Sequence, residues 1–272
     1  MRLRGLCVAC VAIAFSSASA GASDAGGDSW QFGITPYLWM PSIHGTLNFE
    51  VPPAGSSPIA DIASDFPSNL KFAGMLTGTV RKGDWGVFYD VVYVNLGDLR
   101  STARDFKGPG GVISLPLAAS LDSGIEGTVA TLTGTYRVSE SSRLRLDLIG
   151  GVRYANISAF ASWDLSSSTA NLGTLERSGR VSGSTDFLNG IFGVLGQVQL
   201  GDGGKWFMPF ELDFGAGSES STTANAVLGV GYKFGWGDIV LAYRYLYVNL
   251  GSDEALHDLR LAGPALGASF HW

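Results

Sequence analysis

Residues 143–154 read Arg-Leu-Arg-Leu-Asp-Leu-Ile-Gly-Gly-Val-Arg-Tyr, in which charged and apolar side chains alternate with a period of two. Successive side chains of a β-strand point to opposite faces, so one face of this stretch is apolar throughout. The other face carries Arg145, Asp147 and Arg153. A strand with one apolar and one charged face is typical of a barrel wall that separates lipid from a polar lumen. These residues therefore predict a membrane-spanning β-strand.

The same alternation recurs along the chain, for example in residues 85–93 and 239–247, where one face is dominated by aromatic rings and branched aliphatic side chains. We predict an all-β fold, a closed antiparallel up-and-down transmembrane β-barrel of about ten strands, with eight or twelve as alternatives. The predicted strands span approximately residues 30–49, 68–81, 84–97, 124–138, 143–160, 184–200, 205–215, 223–235, 238–250 and 256–272.

The connections between these strands alternate between short and long. Short turns are predicted near 82–84, 139–142, 201–204 and 235–238, and longer loops at 50–67, 98–123, 164–182, 216–222 and 251–255. Outer-membrane barrels have short periplasmic turns and long extracellular loops, which fixes the predicted orientation. The apolar part of the second long loop, 112–119, is predicted either to cover the mouth or to extend a hairpin. The prolines within strands are predicted to mark bulges or bends: Pro36, Pro41, Pro209 and Pro264.

Composition excludes several classes of protein. The 272 residues include 38 glycines, 11% aromatic and only 15% charged residues, and the mean hydropathy is +0.20. With 46% hydrophobic residues the chain is not disordered, and the formal net charge of −6 without a basic cluster excludes a nucleic-acid-binding protein. No stretch outside the first twenty residues is long and apolar enough for a transmembrane helix.

The first twenty residues resemble an export signal, with Arg2 and Arg4 before a short apolar run and small residues up to Ala20. We predict a signal peptide at 1–20, a short periplasmic segment at 21–29 and the barrel at 30–272. Both cysteines, Cys7 and Cys10, fall in the signal. Cleavage would remove two of the 18 basic residues and leave 16 against 24 acidic ones, a net charge of −8.

Two features at the predicted periplasmic end fit a membrane barrel. Five tryptophans fall at these strand ends and are predicted to form an aromatic girdle at the membrane interface: Trp30, Trp85, Trp206, Trp236 and Trp272. The last strand alternates into a terminal aromatic residue, so Gly267, Phe270 and Trp272 are predicted to form the signal that the outer-membrane assembly machinery recognises. Outer-membrane lipid and lipopolysaccharide are the other predicted partners, and no nucleic acid is expected.

Several motifs resemble a widespread group of uncharacterised Gram-negative outer-membrane β-barrel proteins. They are Ile34 to Pro41 (Ile-Thr-Pro-Tyr-Leu-Trp-Met-Pro), residues 85–90, residues 231–234, residues 243–245 and residues 261–267. The resemblance covers essentially the whole mature chain and implies the barrel architecture, with a more distant, purely architectural similarity to small OmpW/OmpA-type barrels. It implies almost nothing about function, because the family is known mainly as predicted barrels.

A barrel of ten tilted strands has a backbone radius of about 10 Å, so side chains from opposite walls nearly meet. Mixed charges inside predict either an ion-pair network that fills the lumen or a narrow path for small solutes. The candidate lumen network consists of Asp90, Arg145, Asp147, Arg153, Glu211, Asp213, Lys233 and Arg244, and strand parity adds Lys71, Arg81 and Arg137.

An outer-membrane enzyme acting on lipid or peptide is the alternative. His44 and His257 are predicted near the extracellular ends of neighbouring strands, with Ser42, Asp253 and Asp258 nearby. A Ser–His or Asp–His pair could act as a nucleophile and base, but no known barrel-enzyme motif is present, so we predict no catalytic residues, no metal site and no cofactor. A soluble, lipocalin-like barrel is disfavoured, because its apolar face would have to be the inner one.

Overall fold

The computed structural model describes residues 29–48, 59–64, 70–97, 101–103, 118–169, 173–201, 203–217, 221–249 and 256–272. The predicted signal peptide and most of residues 98–117 lie outside this range. The strands are β1 (Trp30–Trp39), β2 (Ser42–Asn48), β3 (Ile59–Ser64), β4 (Leu70–Lys82), β5 (Trp85–Leu96), β6 (Ser101–Ala103), β7 (Ala118–Glu140), β8 (Leu144–Thr169), β9 (Gly173–Leu200), β10 (Trp206–Gly217), β11 (Thr222–Lys233), β12 (Asp238–Asn249) and β13 (Leu256–His271).

Ten of these strands form a closed antiparallel barrel in the order β1-β4-β5-β7-β8-β9-β10-β11-β12-β13, and β13 pairs with β1 to close it. Closure is regular at the periplasmic rim, where the amide of Phe32 donates to Trp272 and the amide of Trp272 donates back to Phe32. A closed barrel leaves none of these ten strands with an unpaired edge along the wall, which hydrocarbon requires. The all-β, ten-stranded prediction is confirmed. No helix within the described residues is long and apolar enough to cross a membrane.

The outer wall is apolar over a band that matches a bilayer. Along β8 the outward positions are apolar or glycine from Leu144 to Tyr154 and become polar at Asn156 and Ser158. The apolar stretch matches the about 9–11 residues that a tilted strand needs to cross the hydrocarbon. The facing strand β9 changes in the same way at Leu188. The exposed side chains in this band include Leu132, Phe192, Phe214, Leu228 and Leu241, each more than half exposed. This exterior makes the protein an outer-membrane barrel.

The short connections are tight periplasmic turns that use glycine where the backbone is left-handed. Gly83 between β4 and β5 has a φ of 60°, and Gly201 and Gly204 between β9 and β10 have φ values of 69° and 64°. Such φ values are strained for residues with a Cβ atom, so glycine is favoured here.

The extracellular side differs from the prediction, because three predicted loops are partly strand. Strands β8 and β9 stay paired from Leu144↔Val198 to Thr169↔Gly173, so the described residues of the predicted loop at 164–182 are strand. Strand β7 begins at Ala118 and pairs with β8, and β3 lies within the predicted loop at 50–67. Ser-rich segments favour turns in isolation, but cross-strand pairing satisfies their backbone groups here. We call residues 158–184 the β8–β9 extension.

The predicted first strand, 30–49, is divided in two. Strand β1 ends at Trp39, after which Met40 donates its amide to the carbonyl of Pro264 (2.9 Å) and Pro41 has no amide to donate. Strand β2 then continues along β13 and turns away from β4 to pair with β3. The bend predicted at Pro41 is therefore present, and beyond it β2, β3 and β6 continue the same sheet on the extracellular side.

Candidate functional site

The interior of the barrel contains a buried polar network at its centre. Arg153 on β8 holds Asp213 on β10 through two bonds, Nη1 to Oδ1 at 2.7 Å and Nη2 to Oδ2 at 2.9 Å. The Arg153 Nε donates to the hydroxyl of Thr131 (3.0 Å). Both charged side chains are fully buried, at 1% and 0% exposure. A bidentate pair with its remaining donors satisfied is the geometry in which a buried ion pair is tolerated.

A second ion pair crosses the lumen. Arg244 on β12 contacts Asp90 on β5 at 2.7 Å, and both side chains are buried. These strands lie four positions apart around the ten-stranded ring, so the pair joins nearly opposite walls. Tyr37 closes the group, because its hydroxyl donates to Asp90 Oδ1 (2.6 Å) and accepts from Arg244 Nη1 (2.7 Å).

Asn225 on β11 joins the two ion pairs. Its Nδ2 atom donates to Glu211 Oε1 and to Asp213 Oδ2, both at 2.9 Å, while its Oδ1 atom accepts from Arg244 Nε at 3.1 Å. The result is one connected group that extends from β8 to β5, which we call the central network: Tyr37, Asp90, Arg153, Glu211, Asp213, Asn225 and Arg244. Sequence reasoning missed Tyr37 and Asn225, although strand parity places both on the inner face.

On the extracellular side of the central network the interior becomes apolar, which the sequence analysis did not predict. Trp39 is 1% exposed and packs in a cluster that draws on seven barrel strands. The buried members of this apolar layer are Trp39, Met75, Val92, Ala155, Ile157, Phe187, Leu246, Val248, Leu259 and Ala265. The expectation of a lumen filled by charges is therefore wrong for its extracellular half, because inward positions beyond Asp90 and Arg244 carry Val92, Leu246 and Val248.

On the periplasmic side the predicted charges Arg145, Asp147 and Lys233 lie around an open vestibule. Asp147 accepts bonds from Arg81 and from Arg137 Nε (3.0 Å). Arg137 also contacts Glu140 at 2.8 Å. Glu140 lies at the rim beyond the membrane-facing rings, and the hydrogen bond from Arg137 holds the pKa of Glu140 below its ordinary value.

The vestibule has a volume of about 640 Å³ and is lined by Arg81, Arg137, Arg145 and Lys233 among others. All eight side chains of the predicted lumen network thus face the interior, in two levels: the central network and the vestibule. Lys71 lies in β4, but its side chain is outside the described set.

The five tryptophans of the predicted girdle lie at the periplasmic rim with outward, exposed rings. Several join a chain of ring contacts around the wall: Trp206–Tyr232 and Tyr232–Phe234 at 4.8 Å, Phe234–Trp236 at 5.7 Å and Trp236–Phe270 at 5.6 Å. Trp272 stacks on Phe32 at 6.0 Å, so two residues of the predicted assembly signal, Phe270 and Trp272, also lie in this ring.

The extracellular rim does not pair the two predicted histidines in register. His44 on β2 is exposed and stands opposite Arg260 on β13. Arg260 contacts Asp258 at 3.3 Å and stacks over the Tyr247 ring at 5.7 Å. The side chain of His257 and all of Asp253 lie outside the described residues. Among the described residues no group of three potential metal ligands occurs.

The comparisons with known proteins find similar solved structures but no matching protein family. No protein-family model matches the chain, and no similar protein was found among curated sequences. The solved structures that resemble it include the outer membrane protease OmpT from Escherichia coli, with 8% identity, TM-score 0.49, and coverage of 92% of this chain and 99% of OmpT.

A second similar structure is Ail, the attachment invasion locus protein of Yersinia pestis, with 10% identity, TM-score 0.34, and coverage of 90% of this chain and 99% of Ail. A third is the translocator domain of the autotransporter NalP from Neisseria meningitidis, with 17% identity, TM-score 0.37, and coverage of 91% of this chain and 90% of the translocator domain. These proteins differ in function, and the similarity transfers none of their activities.

Proposed function

We propose that this outer-membrane protein is a closed structural barrel that displays its extracellular sheets for interaction at the cell surface, and that it does not conduct solutes. The observation that carries the proposal is the pair of stacked barriers inside the wall. The central network binds nearly opposite walls together through Arg244 and Asp90, and the apolar layer beyond it buries Trp39 and Leu246 at 1% exposure each.

A solute path would have to break both barriers. Ions would lose hydration in the apolar layer, whose ten buried members carry no charged side chain, and such constrictions block conduction by dewetting. Opening the central network would leave buried charges unpaired, which costs several kcal/mol. Both effects support a static interior over a narrow channel.

The extracellular extensions support display as the role. Strands β8 and β9 continue in register beyond the apolar band, from Ala155↔Phe187 to Thr169↔Gly173, and β2, β3 and β6 extend the sheet from β13 on another side. A barrel that is closed inside and paired in its extensions forms a rigid base for a binding surface. The rim-enzyme alternative has no supporting contact among the described residues.

Single-channel recording of the full chain, refolded into planar bilayers, tests the closed interior. We expect no conductance steps from the natural protein and reproducible steps from the double variant Trp39→Ala/Arg244→Ala, which removes one large side chain from each barrier. The exterior variant Trp236→Ala is the control and stays silent. Steps from the natural protein that change when Asp213→Asn is introduced would establish a solute path and overturn the proposal.

A further inference from the structure

The vestibule at the periplasmic end is not needed by a closed barrel. It adjoins a smaller space of about 220 Å³ beneath the β7–β8 turn, and Arg145, Gln197 and Lys233 line both. We call the two together the shared space; it is concave, lies on the soluble side of the barrier and has charged and amide side chains where its two parts meet. Small-molecule sites are concave and carry a few convergent polar groups, as this space does.

Cations outnumber carboxylates around this space. Four cationic side chains line the vestibule, Arg81, Arg137, Arg145 and Lys233, whereas Asp147 and Asp238 are the lining carboxylates and Glu140 stands at the rim. Asp147 is already bound by two arginines, and Asp238 lies 2.9 Å from His271 Nε2. The excess is notable in a chain whose formal net charge is −6.

Lys233 and Arg145 carry the excess charge. Lys233 Nζ donates to Gln199 Oε1 at 3.1 Å and lies 5.5 Å from the centre of the Phe207 ring, and no ion pair links it to Asp238 opposite on β12. Arg145 reaches Glu140 only at 3.7 Å and remains 47% exposed. Both cations therefore retain donors that point toward water in the shared space.

We propose that this space binds a small, soluble, phosphate-bearing anion from the periplasm, held by Lys233 and Arg145. Arginine matches phosphate oxygens with paired donors, and lysine supplies a compact charge. Gln197, Gln199 and Ser142 line the smaller space and can donate further hydrogen bonds to phosphate oxygens. The site does not depend on the proposed display function, and each can fail without the other.

A lipid headgroup offers the same phosphate chemistry, but the geometry favours a soluble source. The charged side chains of the lining lie inside the wall, whereas the exposed rings of Trp206 and Trp236 lie on its outer surface at the level where headgroups meet the barrel. A phospholipid would have to bring its headgroup around the rim while its acyl chains stayed outside.

Calorimetric titration of the folded full chain with inorganic pyrophosphate, in a zwitterionic detergent, tests the proposal. We expect saturable binding with a Kd below about 1 mM, weakened about tenfold by Lys233→Gln or Arg145→Gln. Lys205→Gln is the matched control, because Lys205 lies at the same rim, bonded through its carbonyl to the Lys233 amide, and lines neither space. We expect Lys205→Gln to change the Kd for pyrophosphate less than twofold.

A gain-of-binding variant keeps the result independent of misfolding. Glu140→Gln removes the carboxylate that competes for Arg145 and is expected to tighten pyrophosphate binding about threefold. No binding by the natural protein, or equal weakening by Lys205→Gln and Lys233→Gln, would overturn the site. Competition by phosphatidylglycerol added to the micelles would overturn the assignment to a soluble anion, and its absence supports it.

Discussion

The guanidinium carbon of Arg244 lies 5.0 Å from the centre of the Trp39 ring, at the boundary between the central network and the apolar layer. One face of the cation is thus covered by indole while its edge donates to Asp90 and Tyr37. The indole is itself oriented, because Trp39 Nε1 donates to the carbonyl of Gly263 at 3.2 Å. Planarity suits arginine to this double contact, which a lysine could not reproduce.

Replacing Arg244 tests how strongly the two levels are coupled. Arg244→Leu leaves the buried Asp90 carboxylate without its cationic partner and is expected to lower the free energy of unfolding by about 3–5 kcal/mol. Arg244→Lys keeps the charge, so its free energy of unfolding is expected to lie between those of Arg244→Leu and the natural protein. Unfolding in urea from phospholipid vesicles, followed by tryptophan fluorescence, measures both.

The matched variant is the double replacement Arg244→Leu/Asp90→Leu, which removes both charges and is expected to recover more than half of the loss. A double variant as unstable as the single one would contradict the view that the unpaired carboxylate causes the destabilisation.

Asn225 is expected to matter more than its neutral side chain suggests. Asn225→Leu removes the amide that separates the carboxylates of Glu211 and Asp213 and leaves Arg244 Nε without its acceptor, at an expected cost of about 1–3 kcal/mol. Thr222→Leu on the outer face of the same strand is the control, and its effect on urea unfolding is expected to stay within about 0.5 kcal/mol. If Asn225→Leu and Thr222→Leu destabilised the protein equally, Asn225 would not link the two ion pairs.

Strand alternation was enough to predict the barrel, its ten strands and the inward direction of Asp90, Arg153, Asp213 and Arg244. Contacts across the lumen could not be predicted in this way. Whether Arg244 meets Asp90 or Asp213 depends on strand tilt and stagger, which set the height of each residue and leave no periodic signal in one sequence.

The apolar layer was missed for a related reason. Residues such as Val92 and Leu246 lie on strands with apolar side chains on both faces near their extracellular ends, so alternation fades there. The β8–β9 extension was missed because its serines resemble a loop in composition, and only pairing with the neighbouring strand makes it sheet.

Gly231 is required by the shape of the vestibule wall. A Cβ atom at this position would overlap the ring of Phe207, which is 4% exposed and covered by Lys233. Gly231→Val is therefore expected to destabilise the barrel by about 1–3 kcal/mol through overpacking. Urea unfolding in vesicles provides the measurement.

Two control variants distinguish a clash with the Phe207 ring from the general effect of replacing a glycine. Gly203→Ala, in the β9–β10 turn where a Cβ atom would meet nothing within 4 Å, is expected to be nearly neutral. Gly231→Val/Phe207→Ala is expected to be more stable than the sum of its two single losses predicts. Strict additivity would show that the ring is not what the valine meets.

The β8–β9 extension is expected to be dispensable for folding. Ser158 and Ser184 are cross-strand partners just beyond the apolar band, so an Asn-Gly turn that joins them removes the extension and keeps the register below. Ile157 and Phe187 of the apolar layer remain, and the shortened protein is expected to refold, to migrate heat-modifiably on a gel and to stay silent in planar bilayers.

A larger deletion that reaches into the barrel wall is the comparison for this shortened protein. Joining Val152 to Gly190, also a cross-strand pair, removes Arg153 from the central network and Phe187 from the apolar layer, and leaves Asp213 without its ion-pair partner. This variant is expected to lose the heat-modifiable band. If the shallow cut abolished folding as well, the extension would be part of the folding core, and its assignment as a display element would have to be abandoned.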